Sequence, residues 1–442
     1  MDYKTNIEKR KIGLIRLLTE IEKREQAILQ ALHNDFKKPF FEGVMTETGL
    51  VTSELKLAIK NLNRWAKPQP VWPSLLNFPS RDYIYREPYG KVLIIAPWNY
   101  PFQLAMVPLI SAVAAGNQVV LKPSELTPHT AGIITEIISQ VFETHQAQVV
   151  QGDSIVAQEL LSRRWDYIFF TGSVGVGKIV AEAAAKNLTP TTLELGGKNP
   201  CIIDNTASLE LAAKRIVWGK FLNAGQTCIA PDYLLVHEKV KADLVKYLIR
   251  EIQVAYGENP HNSSDFCRII NFKNWQRLTG SLHGQNILYG GQFIEEELYL
   301  APTLIDQPDR NSSLMTAEIF GPILPILSYK NENELAEIIQ QYEKPLSLYV
   351  FSNNPTFIQK ILTNFAFGGG AINDTVVQFA NKKLPFGGVG HSGIGAYHGR
   401  WGFETFTHRK AIVRKYNWLD LPFRYAPYQN KIGLIRKLLD WF

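Results

Sequence analysis

Between residues 92 and 195 the chain alternates short apolar runs with amphipathic stretches, and this rhythm restricts its fold more than any other feature. KVLIIA, QVVLK, QVV, WDYIFF and PTTLEL read as strands, the first a continuous apolar run of the kind found in a parallel sheet covered on both faces. Helical patterns separate them, one around Thr130 to Phe142 and another in GKIVAEAAAKN. A β-α-β-α-β order of this kind predicts a doubly wound α/β domain. A second alternation follows Gly196: strands in NPCIIDN, DYLLVHE, Ile323 to Tyr329 and Leu346 to Phe351, with helices in LELAAKRIVWGKFL, KVKADLVKYLIREIQVAYG and ELAEIIQQY. A second α/β domain is therefore expected, with a hinge at Gly196 and Gly197, where glycine opens conformations closed to other residues. A site between the domains is the default expectation.

The first 65 or so residues repeat apolar positions at helical spacing, as at Ile15, Leu18 and Ile21, and the proline-rich KPQPVWPSLLNFPS ends that helical part. A length of 442 residues suffices for at least two cores. The charge excess is only +6, and the chain lacks a run of five basic residues, so nucleic acid is not a favoured partner. Its charged, amphipathic N-terminus does not read as a secretion signal. The longest nearly apolar stretch, Leu104 to Ala115, contains Pro108 and falls short of the roughly 20 residues that span a bilayer. KIGLIR occurs at Lys11–Arg16 and again at Lys431–Arg436 without periodic continuation, which does not support a repeat architecture.

Three cysteines in so long a chain cannot form a disulfide framework, and they suit a reducing compartment. Cys201 lies in the apolar strand NPCII and Cys267 beside Phe266 and Ile269, both as packing residues. Cys228 lies in KFLNAGQTCIAPD among small and polar neighbours that suit an accessible thiol. Glu194, flanked by Leu193 and Leu195 with two glycines behind it, reads either as a strand-end glutamate or as a partly desolvated base. Asn99 follows the Val92–Ala96 strand, where it is a turn residue or an amide donor at the ligand-binding edge of a sheet. FTGSVGVGK follows a strand and opens a helix, a place for a phosphate. It fails as a P-loop, because Ile179 stands where a hydroxyl is needed, and it fails the strict GxGxxG pattern; a turn without ligand is the alternative. No metal site is expected.

Taken in order, APWNYPF, LKPSE, FTGS, LELGGKNP, NAGQTC, EIFGP, GGGAIND and LPFGGVGHSG resemble the NAD(P)-dependent aldehyde dehydrogenase superfamily over nearly the whole chain. The closing GRWGFETFTHRKAI resembles its class 3, fatty and aromatic aldehyde branch. The resemblance implies two doubly wound α/β domains and a small β dimerisation arm. It sets a cofactor domain at 1–80 and 91–195, a catalytic domain at 196–405, oligomerisation strands at 81–90 and 406–420, and an amphipathic tail at 421–442. It implies oxidation of medium or long aliphatic, or aromatic, aldehydes to carboxylates through a thiohemiacetal and a thioester. Cys228 would be the nucleophile, Glu194 the base that activates water, and Asn99 with the Cys228 N–H the oxyanion hole. Gly172, Ser173, Val174, Gly175, Val176 and Gly177 would receive the cofactor's pyrophosphate. Lys122 and Glu125 would bind the adenosine ribose, and Glu318 and Phe320 the nicotinamide ribose and ring. A carboxylate near the 2′-hydroxyl favours NAD, with NADP tolerated through the adjacent Lys122. Trp98, Tyr100 and Phe102 are named as wall residues of the substrate tunnel, with core packing as the alternative.

A cytoplasmic homodimer is expected. The tail KIGLIRKLLDWF places Ile432, Ile435, Leu439 and Phe442 on one helical face, a pattern for capping a subunit or for peripheral contact with an anionic membrane. A CoA-acylating relative and a catalytically silent protein of the same fold are the rival readings. The presence of Glu194 argues against the first, and its retention with Cys228 and Asn99 against the second.

Overall fold

The computed structural model describes residues 3–74, 77–420 and 422–440. Two mainly parallel sheets carry the chain. The first has six strands in the order Gly393–Ile394, Thr191–Glu194, Tyr167–Thr171, Lys91–Ile95, Gln118–Lys122 and Ala147–Val149. The strand Lys91–Ile95 lies between Gln118–Lys122 and Tyr167–Thr171, parallel to both, and from Val92 onward it is buried. Its unbroken apolar run has this cause, since helices cover both faces of the sheet. The strand order reverses between Lys91–Ile95 and Tyr167–Thr171, and such a switch point opens a crevice at the strands' C-terminal ends. Helix Gln103–Ala115 is buried at every position, which accounts for the apolar stretch around Pro108, and Gly116 at φ 99° ends it. Among the described residues no helix is long and apolar enough to cross a membrane.

The second sheet runs Ile287–Tyr289, Thr303–Asp306, Ile323–Tyr329, Tyr233–His237, Pro200–Ile203, Ser347–Phe351 and Gly369–Ile372, parallel except at its first strand. A third sheet stands apart from both. There Ser80–Pro88 pairs antiparallel with Gln69–Val71 and, over nine residues, with Thr407–Lys415. The bridge from Arg86 to Glu404 and that from Lys410 to Glu87 brace the longer pairing.

Three expectations change. Gly196 and Gly197 do not take positive φ; what they provide is close approach. A Cβ on Gly196 would displace the Glu318 carboxyl from its place, and one on Gly197 would crowd the Leu346 nitrogen at 3.1 Å. The helix after FTGS begins earlier, at Val174, because Ser173 accepts the Val176 N–H as its cap. The segment 393–405, expected with the second domain, returns to the first: Gly393 pairs with Glu194, and Phe403 packs its ring 5.8 Å from that of Trp65. In the tail a helix covers Ile432–Leu439 with Ile432 and Leu439 exposed, and Phe442 lies outside the described residues.

Phe169, fully buried on the first sheet, meets the rings of Tyr397 at 5.1 Å and Phe406 at 5.6 Å, which anchors that return. Truncation by Phe169→Ala should cost about 3–5 kcal/mol and lower the thermal midpoint by several degrees. An unchanged midpoint would show that these rings do not hold the returning segment.

Candidate active site

Three segments meet at the switch point of the first sheet. Lys91–Ile95 leads through Ala96 and Pro97 to Asn99, which is buried; Tyr167–Thr171 leads to Gly172 and Ser173; and Thr191–Glu194 ends in Glu194 itself. The backbone of Glu194 is fully engaged, since its carbonyl accepts the Gly172 N–H and its strand pairs with Gly393 on the other side. Its side chain is the opposite. Both carboxyl oxygens are buried without a hydrogen-bond partner, and burial pushes the carboxyl well above the usual carboxylate range.

Cys228 comes from the second domain, where helix Leu209–Phe221 gives way to a left-handed run at Asn223 (φ 56°), Ala224 (φ 50°) and Gly225 (φ 73°). Glycine is needed at 225, because a Cβ there would stand 2.2 Å from the Gly321 carbonyl oxygen. The Asn199 amide donates to the carbonyls of Cys228 at 2.8 Å and Ala230 at 3.0 Å, tying the turn to the strand Pro200–Ile203. Burial, then the carboxyls of Glu318 and Glu194, push the Cys228 thiol up to about 12, against the N–H groups of Cys228 and Ile229. Burial also pushes Glu318 up to about 8. Glu318 is thus mainly neutral at pH 7, which lessens its repulsion of a thiolate. Cys201 and Cys267 are fully packed, and all three thiols are free.

Two cavities share Thr171, Glu194, Leu195 and Cys228. One, of about 180 Å³, is almost wholly apolar and runs past Met45, Leu50, Tyr100, Trp218, Ile229 and Phe386. The other, of about 240 Å³, is walled by Trp98, Asn99, Gly172, Ser173, Glu318 and Phe320. Phe320 holds φ 50° and meets Trp98 edge-on at 5.3 Å, while the Glu318 carboxyl lies across the bare face of Gly196. Asn99 donates one N–H to the Gln226 carbonyl at 3.1 Å, which leaves its second N–H available.

The expected residues divide accordingly. Cys228, Glu194, Asn99, Gly172, Ser173, Glu318 and Phe320 converge on these cavities, and Lys122, Glu125, Val174, Gly175, Val176 and Gly177 line neither. Lys122 and Glu125 form their own 3.1 Å pair at the end of Gln118–Lys122. Val174, Gly175 and Val176 make the outer first turn of a helix whose free N–H groups suit a phosphate; Gly177 is buried, and a Cβ there would press on Leu195 at 2.6 Å. Of the three aromatics, Trp98 faces the polar cavity, Tyr100 the apolar one, and Phe102 is core. The donors, the helix terminus and a cavity floored by a missing Cβ at Gly196 are groups that would fit a dinucleotide. Sequence reasoning passed over Thr171, Asn199 and Asn223. A signal existed only for Asn223, because Asn and Gly, at the two ends of Asn223-Ala224-Gly225, tolerate left-handed backbone.

The model of the aldehyde dehydrogenase family matches residues 3–412. The 4,4'-diaponeurosporen-aldehyde dehydrogenase of Staphylococcus aureus (strain NCTC 8325 / PS 47) is 48% identical over 433 residues, which cover 98% of this chain and 94% of that protein. Aldehyde dehydrogenase family 3 member A2 of Mus musculus is 45% identical over 395 residues, 89% of this chain and 82% of that protein. The solved structure described as the substrate bound state of Staphylococcus aureus AldH superposes with a TM-score of 0.97 at 47% identity, covering 98% of this chain and 95% of that one.

A thiol held near 12 reacts through a small thiolate fraction that grows tenfold per pH unit. Iodoacetamide should therefore modify Cys228 alone in the folded protein, about tenfold faster for each unit between pH 7 and 10. A rate that is flat across this range would mean that the thiolate is already formed in the ligand-free protein.

Proposed function

Because the chain belongs to the aldehyde dehydrogenase family, whose members oxidise aldehydes with NAD or NADP, we propose that it converts apolar aldehydes, medium or long aliphatic or aromatic, to carboxylates with Cys228 as nucleophile. One observation carries the reading: Cys228 and Glu194 stand together where an almost wholly apolar cavity meets one rimmed by Asn99, Ser173, Glu318 and Phe320. The apolar side suits the aldehyde's tail, and its lack of polar lining supports a hydrocarbon or aryl substrate over a charged one.

The chemistry follows from these side chains. The Cys228 thiolate, formed by loss of its proton to solvent, bonds through Sγ to the aldehyde carbon while the C=O π pair moves onto oxygen, giving a thiohemiacetal oxyanion that takes the free Asn99 N–H and the Cys228 backbone N–H. NAD or NADP, when bound, supplies the acceptor for the hydride lost from that carbon. A thioester then remains on Cys228, and Glu194 takes a proton from the water that attacks it, releasing the carboxylate and the thiol. Burial, with no protein donor on its oxygens, keeps the Glu194 carboxylate basic once ionised. Its position against Cys228 supports hydrolysis over transfer of the acyl group to CoA.

We read the Lys122–Glu125 pair as the ribose site and Val174 to Gly177 as the phosphate turn, with Glu318 and Phe320 at the nicotinamide end. Lys122 offsets the charge of Glu125, which supports use of both cofactors with NAD preferred. The exposed edge strand Thr407–Lys415 supports a homodimer formed by strand pairing. Free thiols support a reducing, cytoplasmic setting, and the exposed Ile432 and Leu439 support peripheral contact of the tail with an anionic surface.

Three measurements test this. Cys228→Ala should bind NAD and yield no aldehyde-dependent NADH; activity near that of the unaltered protein would remove the nucleophile assignment. Glu194→Gln should leave a burst of NADH followed by turnover slowed about 10²–10⁴-fold. Because the active form is ionised and burial raises the acid's pKa, hydrolysis in the unaltered enzyme should rise with pH through and above neutrality, and the variant should lose that rise. Equal slowing of burst and turnover would count against the base. Removing 431–442 should abolish sedimentation with phosphatidylserine vesicles, and unchanged sedimentation ends the membrane reading.

A further inference from the structure

Beneath the active site lies a buried ionic group that the chemistry above does not use. Lys38 has no exposed side-chain surface, and its ammonium donates to Asn223 Oδ1 at 2.7 Å. It stands 3.9 Å from Glu47 Oε1 and 4.2 Å from the centre of the Tyr100 ring. Glu47 is also fully buried, and its Oε2 accepts the Gln103 N–H at 2.7 Å, at the start of helix Gln103–Ala115. Glu42 Oε2 accepts the Asn223 N–H at 3.1 Å. Burial pushes both carboxyls up to about 7 against the pull of Lys38, so the fold maintains these groups at a cost that packing alone does not explain.

Asn223 is where this group touches the reaction. Its backbone N–H and its Oδ1 are gripped from below, by Glu42 and Lys38. Its Nδ2 donates upward, to the Asn99 carbonyl at 2.9 Å and to the Gln226 carbonyl at 3.1 Å, the same carbonyl that receives the Asn99 side-chain amide. Asn99 is thereby held at both its backbone and its amide, and Gln226 lies two residues before Cys228. On the Asn99 side, Tyr100, whose ring Lys38 faces, bonds through its hydroxyl to Thr227 Oγ1 at 2.6 Å. Two links thus join the ionic group to both reacting segments, one through Asn223 and one through Tyr100.

We propose that Lys38, with Glu42 and Glu47, positions the oxyanion donor Asn99 against Cys228, acting through Asn223 and Tyr100. This inference rests on the reaction proposed above. It makes the N-terminal segment 38–47, which touches neither reacting atom, part of what sets the rate of acylation. The amide's value depends on its aim, since a displacement of about 1 Å at such a donor costs about 10² in rate.

The test is a double-mutant cycle on the full chain, with aliphatic aldehyde and NAD. Lys38→Met should lower kcat about 10²-fold while KM for aldehyde and Kd for NAD stay within about threefold. In an Asn99→Ala background the same substitution should change kcat less than threefold, because the donor it aims is gone. A purely structural lysine would lower both backgrounds equally, and that result overturns the proposal, as does an unaffected kcat in Lys38→Met. Should Lys38→Met not fold, Glu47→Gln carries the cycle, since it keeps volume and an acceptor for the Gln103 N–H. It should lower kcat about tenfold in the native background and less than threefold beside Asn99→Ala, and equal effects again overturn the proposal. An unaltered protein that makes no NADH from any aldehyde would overturn the parent reading together with this one; an active protein whose Lys38 effect is additive overturns this one alone.

Discussion

Glu194 is buried with no protein hydrogen-bond donor to either carboxyl oxygen, and burial holds its pKa up. The rest of the site is arranged around this acid. The apolar cavity, the polar cavity and the Cys228 turn all meet at it. The Cys228 thiol, only partly exposed, is likewise pushed up by burial. An apolar aldehyde entering past Met45 and Leu50 travels along an almost wholly apolar wall before it reaches these two groups. When the thiolate adds, its charge passes to the aldehyde oxygen, where the Asn99 N–H can receive it.

Holding that pair requires both domains at once. Glu194 is fixed from the first sheet, and Cys228 from a left-handed turn pinned by Asn199 to the second. A third element crosses between them: Glu318 and Phe320 reach over Gly196, whose missing Cβ is what lets the two walls of the polar cavity approach. Lys38, Glu42 and Glu47 belong to the N-terminal helical part, and they bond to the turn of the second domain and to the first helix of the parallel sheet. Three stretches remote in sequence are thus locked at one place, and a shift of any of them would be felt at Asn99.

The central strands of both sheets were legible because burial on two faces leaves short apolar runs bounded by turn residues, as in KVLII and YIFF, whereas Ile287–Tyr289, Thr303–Asp306 and Gly369–Ile372 of the second sheet were not foreseen. Cys228 stood out from its small polar neighbours, and Glu194 and Asn99 from their positions at strand ends, although their roles came from motif resemblance and not from spacing. Other features were not legible, for a common reason. The pairing of Lys38 with Asn223 joins residues 185 apart, and no local pattern records such a contact. Gly196, Gly197 and Gly177 were noticed as glycines, yet the reason for the first two is a neighbour across the cleft and for the third is Leu195. Phe102 differs from Tyr100 only in which way the chain turns after Asn99. The return of 393–405 to the first sheet escaped the alternation rule because its strand is two residues long.

That short strand explains how Glu194 can be both fixed and unbonded. Without Gly393 and Ile394, Thr191–Glu194 would be an edge strand, and the Glu194 backbone would be free to shift with its side chain. With them, strand partners flank Glu194 on both sides, and Leu195 adds a bond to the Ser392 carbonyl. Position is thus supplied by the main chain alone. A carboxylate aimed instead by donors to its oxygens would have its pKa drawn down by them, and would be a weaker base for it. By placing the acid through its backbone and surrounding its head with Leu195, Tyr397 and the apolar cavity, the fold obtains aim without loss of basicity.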